Sequence, residues 1–162
     1  MFKVKHLNFA LSALLALVLL SDNTEQSEFC NEAENCDLWT ETPHKSPTDA
    51  VVTYKQLKHM LSSGRVQLFD VREPDELESG FISGAANIPL GEVDQALKLN
   101  PDQFKERYGV PKPSTEDTDF VLYCQRGRRS LDALETAWAL GYTRARHYAG
   151  GYNEWIQAES EL

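Results

Sequence analysis

From residue 51 onward the period of apolar positions changes repeatedly, and each change marks an element. Val51-Val52-Thr53 is a short run of strand formers. Between Tyr54 and Ser62, Leu57, Met60 and Leu61 fall on one helical face, and Gly64 follows as a stop. Val66 to Asp70 predicts a second strand, and Asp75 to Ser79 a short helix ended by Gly80. Ala86-Asn87-Ile88 predicts a third strand, closed by Pro89. Val93 and Leu97 share a helical face, as do Phe104 and Tyr108 after Pro101. Gly109 to Asp119, with its prolines and acidic residues, predicts a surface loop. Phe120 to Tyr123 is a continuous apolar run of β-formers, the pattern of a strand covered on both faces. Leu131, Leu134 and Trp138 then recur at helical spacing as far as Gly141. Ala145 to Tyr148 predicts the last strand, and Gly150-Gly151 opens a final helix carrying Trp155. Strands alternating with helices predict an α/β fold, a single domain over residues 49–160 with a parallel sheet and helices on both faces.

The chain before residue 49 has a different character. Met1 to Leu20 holds Lys3 and Lys5, no acidic residue, and an apolar run from Leu7. This is the outline of a signal peptide, so the expected destination is the secretory pathway, with a secreted protein or one in the ER lumen. The run is short for a membrane span, and no clean small-x-small cleavage site follows it. An uncleaved membrane anchor is therefore the alternative, and a mitochondrial presequence, which favours arginines, a further one. Residues 21–48 are polar and acidic and read as a linker. In an oxidising compartment Cys30 and Cys36 divide off as a disulfide and leave Cys124 free; two unpaired linker thiols are the alternative. Their spacing is no zinc signature, and no metal or cofactor is expected. The formal net charge is −9, and more negative still without the leader's lysines. That balance argues against nucleic acid or an anionic membrane surface as partner.

Against this acidic background, Cys124-Gln125-Arg126-Gly127-Arg128-Arg129 places three arginines beside one cysteine. Cys124 ends the apolar strand, where open α/β sheets carry their active sites. Four residues separate it from Arg129, few enough for the backbone N–H groups to curl around the sulfur and favour an anion. Gly127 permits the turn. Ser130 is expected to cap the following helix, with Asp132 and Glu135 suiting the positive end of its dipole. The functional reading is a cysteine nucleophile facing an anionic substrate. The plainer one is an inert buried cysteine before a solvated basic helix start.

Three blocks then resemble a known family. Asp70-Val71-Arg72-Glu73 with Glu78-x-Gly80-x-Ile82-x-Gly84-Ala85-x-Asn87-Ile88-Pro89, the Cys124–Arg129 loop, and Tyr148-Ala149-Gly150-Gly151-Tyr152-x-x-Trp155 are similar to the signatures of rhodanese-homology domains. The Leu68–Arg72 run, Cys124-Gln125, Leu140-Gly141-Tyr142 and Tyr148-Ala149-Gly150 resemble in particular the single-domain thiosulfate:glutathione sulfurtransferase type. The resemblance implies a five-stranded parallel sheet flanked by helices; a monomer is expected. It implies that Cys124 takes a sulfane sulfur from thiosulfate as a persulfide and hands it to a thiol acceptor, glutathione. Arg126 and Arg129 are then expected to contact the anionic donor, with bracing of the loop as the alternative for Arg129, and Arg128 to add a weaker field, with Gln125 and Gly127 completing the binding loop. Asp70 and Arg72, at a neighbouring strand end, are expected to support the site as an ion pair, as is Ser130 beside the loop. Phe81 stands where many members have histidine and is expected to be a core variation. Trp138 and Trp155 are expected in the core, His59 and His147 as isolated residues, and Asp75, Glu76 and Glu78 on a solvated helix face. Two rival readings share the fold. A cysteine phosphatase or arsenate reductase would want five residues between cysteine and arginine. A non-catalytic module for binding or sulfide sensing would not need this loop.

Overall fold

The computed structural model describes residues 47–161. The expected leader, most of the linker, and Cys30 with Cys36 lie outside the described residues. The strands are β1 (Val51–Val52), β2 (Gln67–Asp70), β3 (Ala86–Asn87), β4 (Phe120–Tyr123) and β5 (Arg146–Tyr148). They form one five-stranded sheet in the order β1-β5-β4-β2-β3. Every neighbouring pair is parallel. The helices are α1 (Tyr54–Ser62), α2 (Val93–Lys98), α3 (Pro101–Tyr108), α4 (Arg128–Ala139) and α5 (Gly151–Ser160). No helix among the described residues is long and apolar enough to cross a membrane.

β4 is the central strand, which is why all four of its side chains are buried. Strand alternation sends Phe120 and Leu122 to one face and Val121 and Tyr123 to the other. The first face packs with Phe69 against α2, α3 and α4, through Ala96, Phe104 and Leu134. The second packs with Val52 and Tyr148 against α1 and α5, through Leu57 and Trp155. Phe69 meets Phe104 and Phe120 edge-on, at centroid distances of 6.1 and 5.4 Å.

Local chemistry fixes the helix ends. Thr53 and Gln56 form a capping box at the start of α1: Thr53 Oγ1 accepts from the Gln56 N–H, and Gln56 Oε1 accepts from the Thr53 N–H. Asn100 caps α3, Pro101 fills its first position, and Gly109 closes it in the left-handed conformation. The short element expected at Asp75–Ser79 is a 3-10 helix over Pro74–Ser79. Trp138 and Trp155 are half-buried at the margins of the two packed faces. Phe81 departs from expectation: it is 52% exposed, so it is surface rather than core. The inward position is taken by Ile82, whose N–H donates to the buried Tyr123 hydroxyl at 3.1 Å.

Because the sheet is parallel, the carboxyl ends of all its strands share one edge. Asp70, Asn87, Tyr123 and Tyr148 end their strands there, and the segments that follow them build the site.

Candidate active site

Cys124 leaves β4 directly at this edge and is 1% exposed. Gly127, at φ 84°, serves as the N-cap, and α4 begins at Arg128. Ser130 is therefore inside the first turn, which corrects its expected role as the cap. Its hydroxyl donates to the Gly127 carbonyl at 3.0 Å instead of accepting from a helix N–H.

The loop is clamped onto the turn between β5 and α5. The Cys124 carbonyl accepts from Tyr152 N–H at 2.8 Å, and the Gln125 carbonyl from Asn153 N–H at 3.2 Å. The Gln125 side chain also donates to Asn153 Oδ1. Two glycines make the approach feasible. A Cβ on Gly127 would lie 2.0 Å from the Ala149 carbonyl oxygen, and one on Gly151, at φ +64°, 2.5 Å from that of Cys124. The loop's own donors are left over. Among the described residues, the backbone N–H groups of residues 125–129 donate to no protein acceptor. These amides belong to the five residues that directly follow Cys124 and lead into the N-terminus of α4.

Beneath the loop, Asp70 and Arg72 form the expected ion pair, both fully buried. Arg72 Nη2 reaches Asp70 Oδ2 at 2.6 Å, and its Nε reaches both carboxylate oxygens at 3.0 Å. The guanidinium also donates to Gln125 Oε1 and to the Gly80 carbonyl, each at 2.9 Å, and stacks 4.5 Å from the Tyr152 ring centroid. Burial is the largest single influence on Arg72 and opposes its charge, but hydrogen bonding and charge attraction to Asp70, with smaller help from Tyr123, together exceed it and its pKa is raised. Asn87 closes the base by donating to the carbonyls of Asp70 and Arg72.

The three loop arginines separate. Arg126 and Arg128 are exposed, and their side chains hold no hydrogen bond or ion pair among the described residues. Arg129, expected to face the donor, instead places both amino groups on the Glu76 carboxylate. That hydrogen bonding holds the Glu76 carboxyl at about 2, below its ordinary 4.5, against the opposing effect of burial. The same contact raises the pKa of Arg129. Glu76 is thus drawn off the solvated helix face where the sequence put it.

His147 is not isolated. It lies 4% exposed on β5, opposite Leu122 in register, on the same face as α4. Its Nδ1 is 3.2 Å from Ser130 Oγ, which is 3.8 Å from Cys124 Sγ. Burial lowers its pKa, which favours the neutral ring. The sequence signal for this residue was the pairing of the last two strands: β5 beside β4 brings His147 under the loop. Cavities of about 410 and 510 Å³ open at the opposite edge of the sheet, around Gln67 and Arg146, and include no loop residue. The polar groups therefore concentrate at Cys124: a buried cysteine sulfur, unused amide donors and two arginine side chains without a partner among the described residues.

The sequence profile of the rhodanese-like domain matches residues 53–158. The chain belongs to the rhodanese-like family. Its rhodanese-like region is 47% identical over 109 residues to the human protein named thiosulfate:glutathione sulfurtransferase, covering 67% of this chain and 95% of that one. It is 50% identical over 109 residues to mouse thiosulfate sulfurtransferase/rhodanese-like domain-containing protein 3, covering 67% and 69%. Among solved structures it is similar to the human single-domain sulfurtransferase TSTD1, with a TM-score of 0.64 and 45% identity, covering 67% of this chain and 96% of that one. As a rhodanese-like chain with such relatives, it is of the sulfurtransferase enzyme type.

Proposed function

We propose that this rhodanese-like domain moves a sulfane sulfur from thiosulfate to glutathione through a persulfide on Cys124. The observation that carries this reading is the row of unused backbone N–H groups from residue 125 to 129 directly after a buried cysteine. Such a row stabilises a negative charge held on sulfur. The Cys124 thiolate attacks the outer sulfur of thiosulfate, the S–S bond of the donor breaks, and sulfite leaves with the bonding electron pair. The glutathione thiolate then attacks the outer sulfur of the persulfide and leaves as glutathione persulfide, which restores the Cys124 thiolate. No general base is needed, because both attacking groups are thiolates, and ping-pong kinetics follow from the covalent intermediate. Arg126 and Arg128 draw in the donor, reversing locally the field of an acidic protein. Arg129 braces the loop against the Pro74–Ser79 segment through Glu76. Four residues between Cys124 and Arg129 favour a slim sulfane sulfur over a tetrahedral oxyanion. The names of the human and mouse relatives support the same donor, and the human name the same acceptor.

The test is turnover of the full chain with thiosulfate and glutathione, reading sulfite released and glutathione persulfide formed. Wild type yields both in equal amounts and Cys124→Ser yields neither. Sulfite release by the serine variant at the wild-type rate contradicts the reading.

A further inference from the structure

We propose that Ser130 and His147 are positioning residues that hold Cys124 as its thiolate, His147 by donating to the Ser130 oxygen and Ser130 by turning its hydroxyl proton onto the sulfur. The inference deepens the sulfur-transfer reading and rests on it, since the thiolate is the attacking form of Cys124 in the first step and its leaving form in the second.

A serine hydroxyl has one proton to give and can accept two hydrogen bonds. Three groups surround Ser130 Oγ: the Gly127 carbonyl at 3.0 Å, His147 Nδ1 at 3.2 Å and Cys124 Sγ at 3.8 Å. With Cys124 as a thiol, the serine proton is assigned to the carbonyl, the nearest of the three and one that can only accept. The two remaining contacts must then arrive as donors, one from the thiol S–H and one from Nδ1–H. That assignment corresponds to the Nδ1–H form of the neutral His147 ring. When the thiol gives its proton to water, the sulfur becomes an acceptor and the serine proton rotates onto it. The abandoned Gly127 carbonyl stays satisfied, because it also accepts from Leu131 N–H at 3.2 Å. His147 keeps donating throughout, so the serine oxygen is never left unpaired in the core.

The pair has no other evident use. Ser130 is 0% exposed and His147 4%, and among the described residues the His147 ring has no side-chain hydrogen-bond partner besides Ser130. Their surroundings are apolar, with Leu122, Ala133 and Leu134 on the same face. Buried polar groups among such neighbours cost stability unless hydrogen-bonded, and α4 already starts at Gly127 without Ser130 as its cap.

The experiment compares full-length wild type with Ser130→Ala, His147→Asn, His147→Gln and Ser130→Ala/His147→Gln. An asparagine amide sits near the place of Nδ1, whereas a glutamine amide reaches toward Nε2. The readout is the rate at which iodoacetamide alkylates the Cys124 peptide at neutral pH, followed by mass spectrometry, because alkylation tracks the thiolate. Melting temperature is recorded for each variant. Ser130→Ala and His147→Gln are expected to slow alkylation roughly tenfold, and His147→Asn to stay within about twofold of wild type. The double variant should be no slower than Ser130→Ala, since His147 acts through the serine. Equal rates for Asn and Gln, a wild-type rate for Ser130→Ala, or additive losses in the double variant each overturn the proposal. If Ser130→Ala fails to fold, the Asn and Gln contrast decides alone. Alkylation needs no sulfur donor, so failure here is distinguishable from failure to release sulfite from thiosulfate.

Discussion

Replacing Glu76 with glutamine removes one charge from the rim of the Cys124 loop and keeps the shape of the side chain. Both Arg129 amino groups lose their ionic partner. The carboxyl stands at about 2 in the folded protein against an ordinary 4.5. At about 1.4 kcal/mol for each pH unit, that difference sets a ceiling of about 3 kcal/mol. The two side chains are 32% and 31% exposed. Solvent screening and the ordering of two long side chains lower the expected contribution to about 1 kcal/mol. A folded-state value below the unfolded one means stability that is fully present above pH 4.5 and lost as pH falls through about 2. Glu76→Gln should therefore melt about 4 °C below wild type at pH 7. The gap should shrink between pH 4.5 and 2, where the wild-type carboxylate is protonated, and it should narrow in high salt. The assay is thermal unfolding followed by circular dichroism across that pH range. A variant that melts with wild type at pH 7, or a gap that persists undiminished at pH 2, refutes the argument.

Three further outcomes follow from the site. Arg72→Met leaves the Asp70 carboxylate buried and uncompensated and removes the donor to Gln125. It should cost about 3–5 kcal/mol in denaturant titration, and a loss below about 1 kcal/mol would mean that the pair is not buried as described. Gly151→Ala forces a Cβ toward the Cys124 carbonyl at a positive φ. It should cost about 2 kcal/mol or more by the same titration and lower turnover by displacing the loop. Arg126→Ala and Arg128→Ala should each raise KM for thiosulfate roughly fivefold at low salt, about 1 kcal/mol, with the effect fading at high salt. Flat KM values for both would remove the free arginines from donor recognition. A rise in KM for glutathione alone would move Arg126 to the acceptor.

Features set by local chemistry were legible in the sequence. The helix over Tyr54–Ser62 was predictable because its signals, from the periodic leucines to Gly64, all lie within a dozen residues. β4 was legible because a strand covered on both faces must be apolar throughout. Pairings between distant residues were not. Arg129 and Glu76 come from different segments, and nothing in either stretch says that one carboxylate will leave solvent for that arginine. His147 looked isolated because its partner Ser130 meets it only through the β4–β5 register and the placement of α4. Ser130 has the chemistry of a cap, but Gly127 takes the left-handed conformation that starts α4 earlier and moves the serine into the first turn. Phe81 was misplaced for a related reason: the hydrogen bond from Ile82 to Tyr123 chooses which neighbour points inward.

Mass spectrometry of the full-length protein after incubation with thiosulfate, without acceptor, tests the central claim most directly. The peptide holding Cys124 should carry one added sulfur atom, and the addition should disappear when glutathione is supplied. A Cys124 peptide of unchanged mass, under conditions in which sulfite is released, would contradict the persulfide and with it the role assigned to the loop.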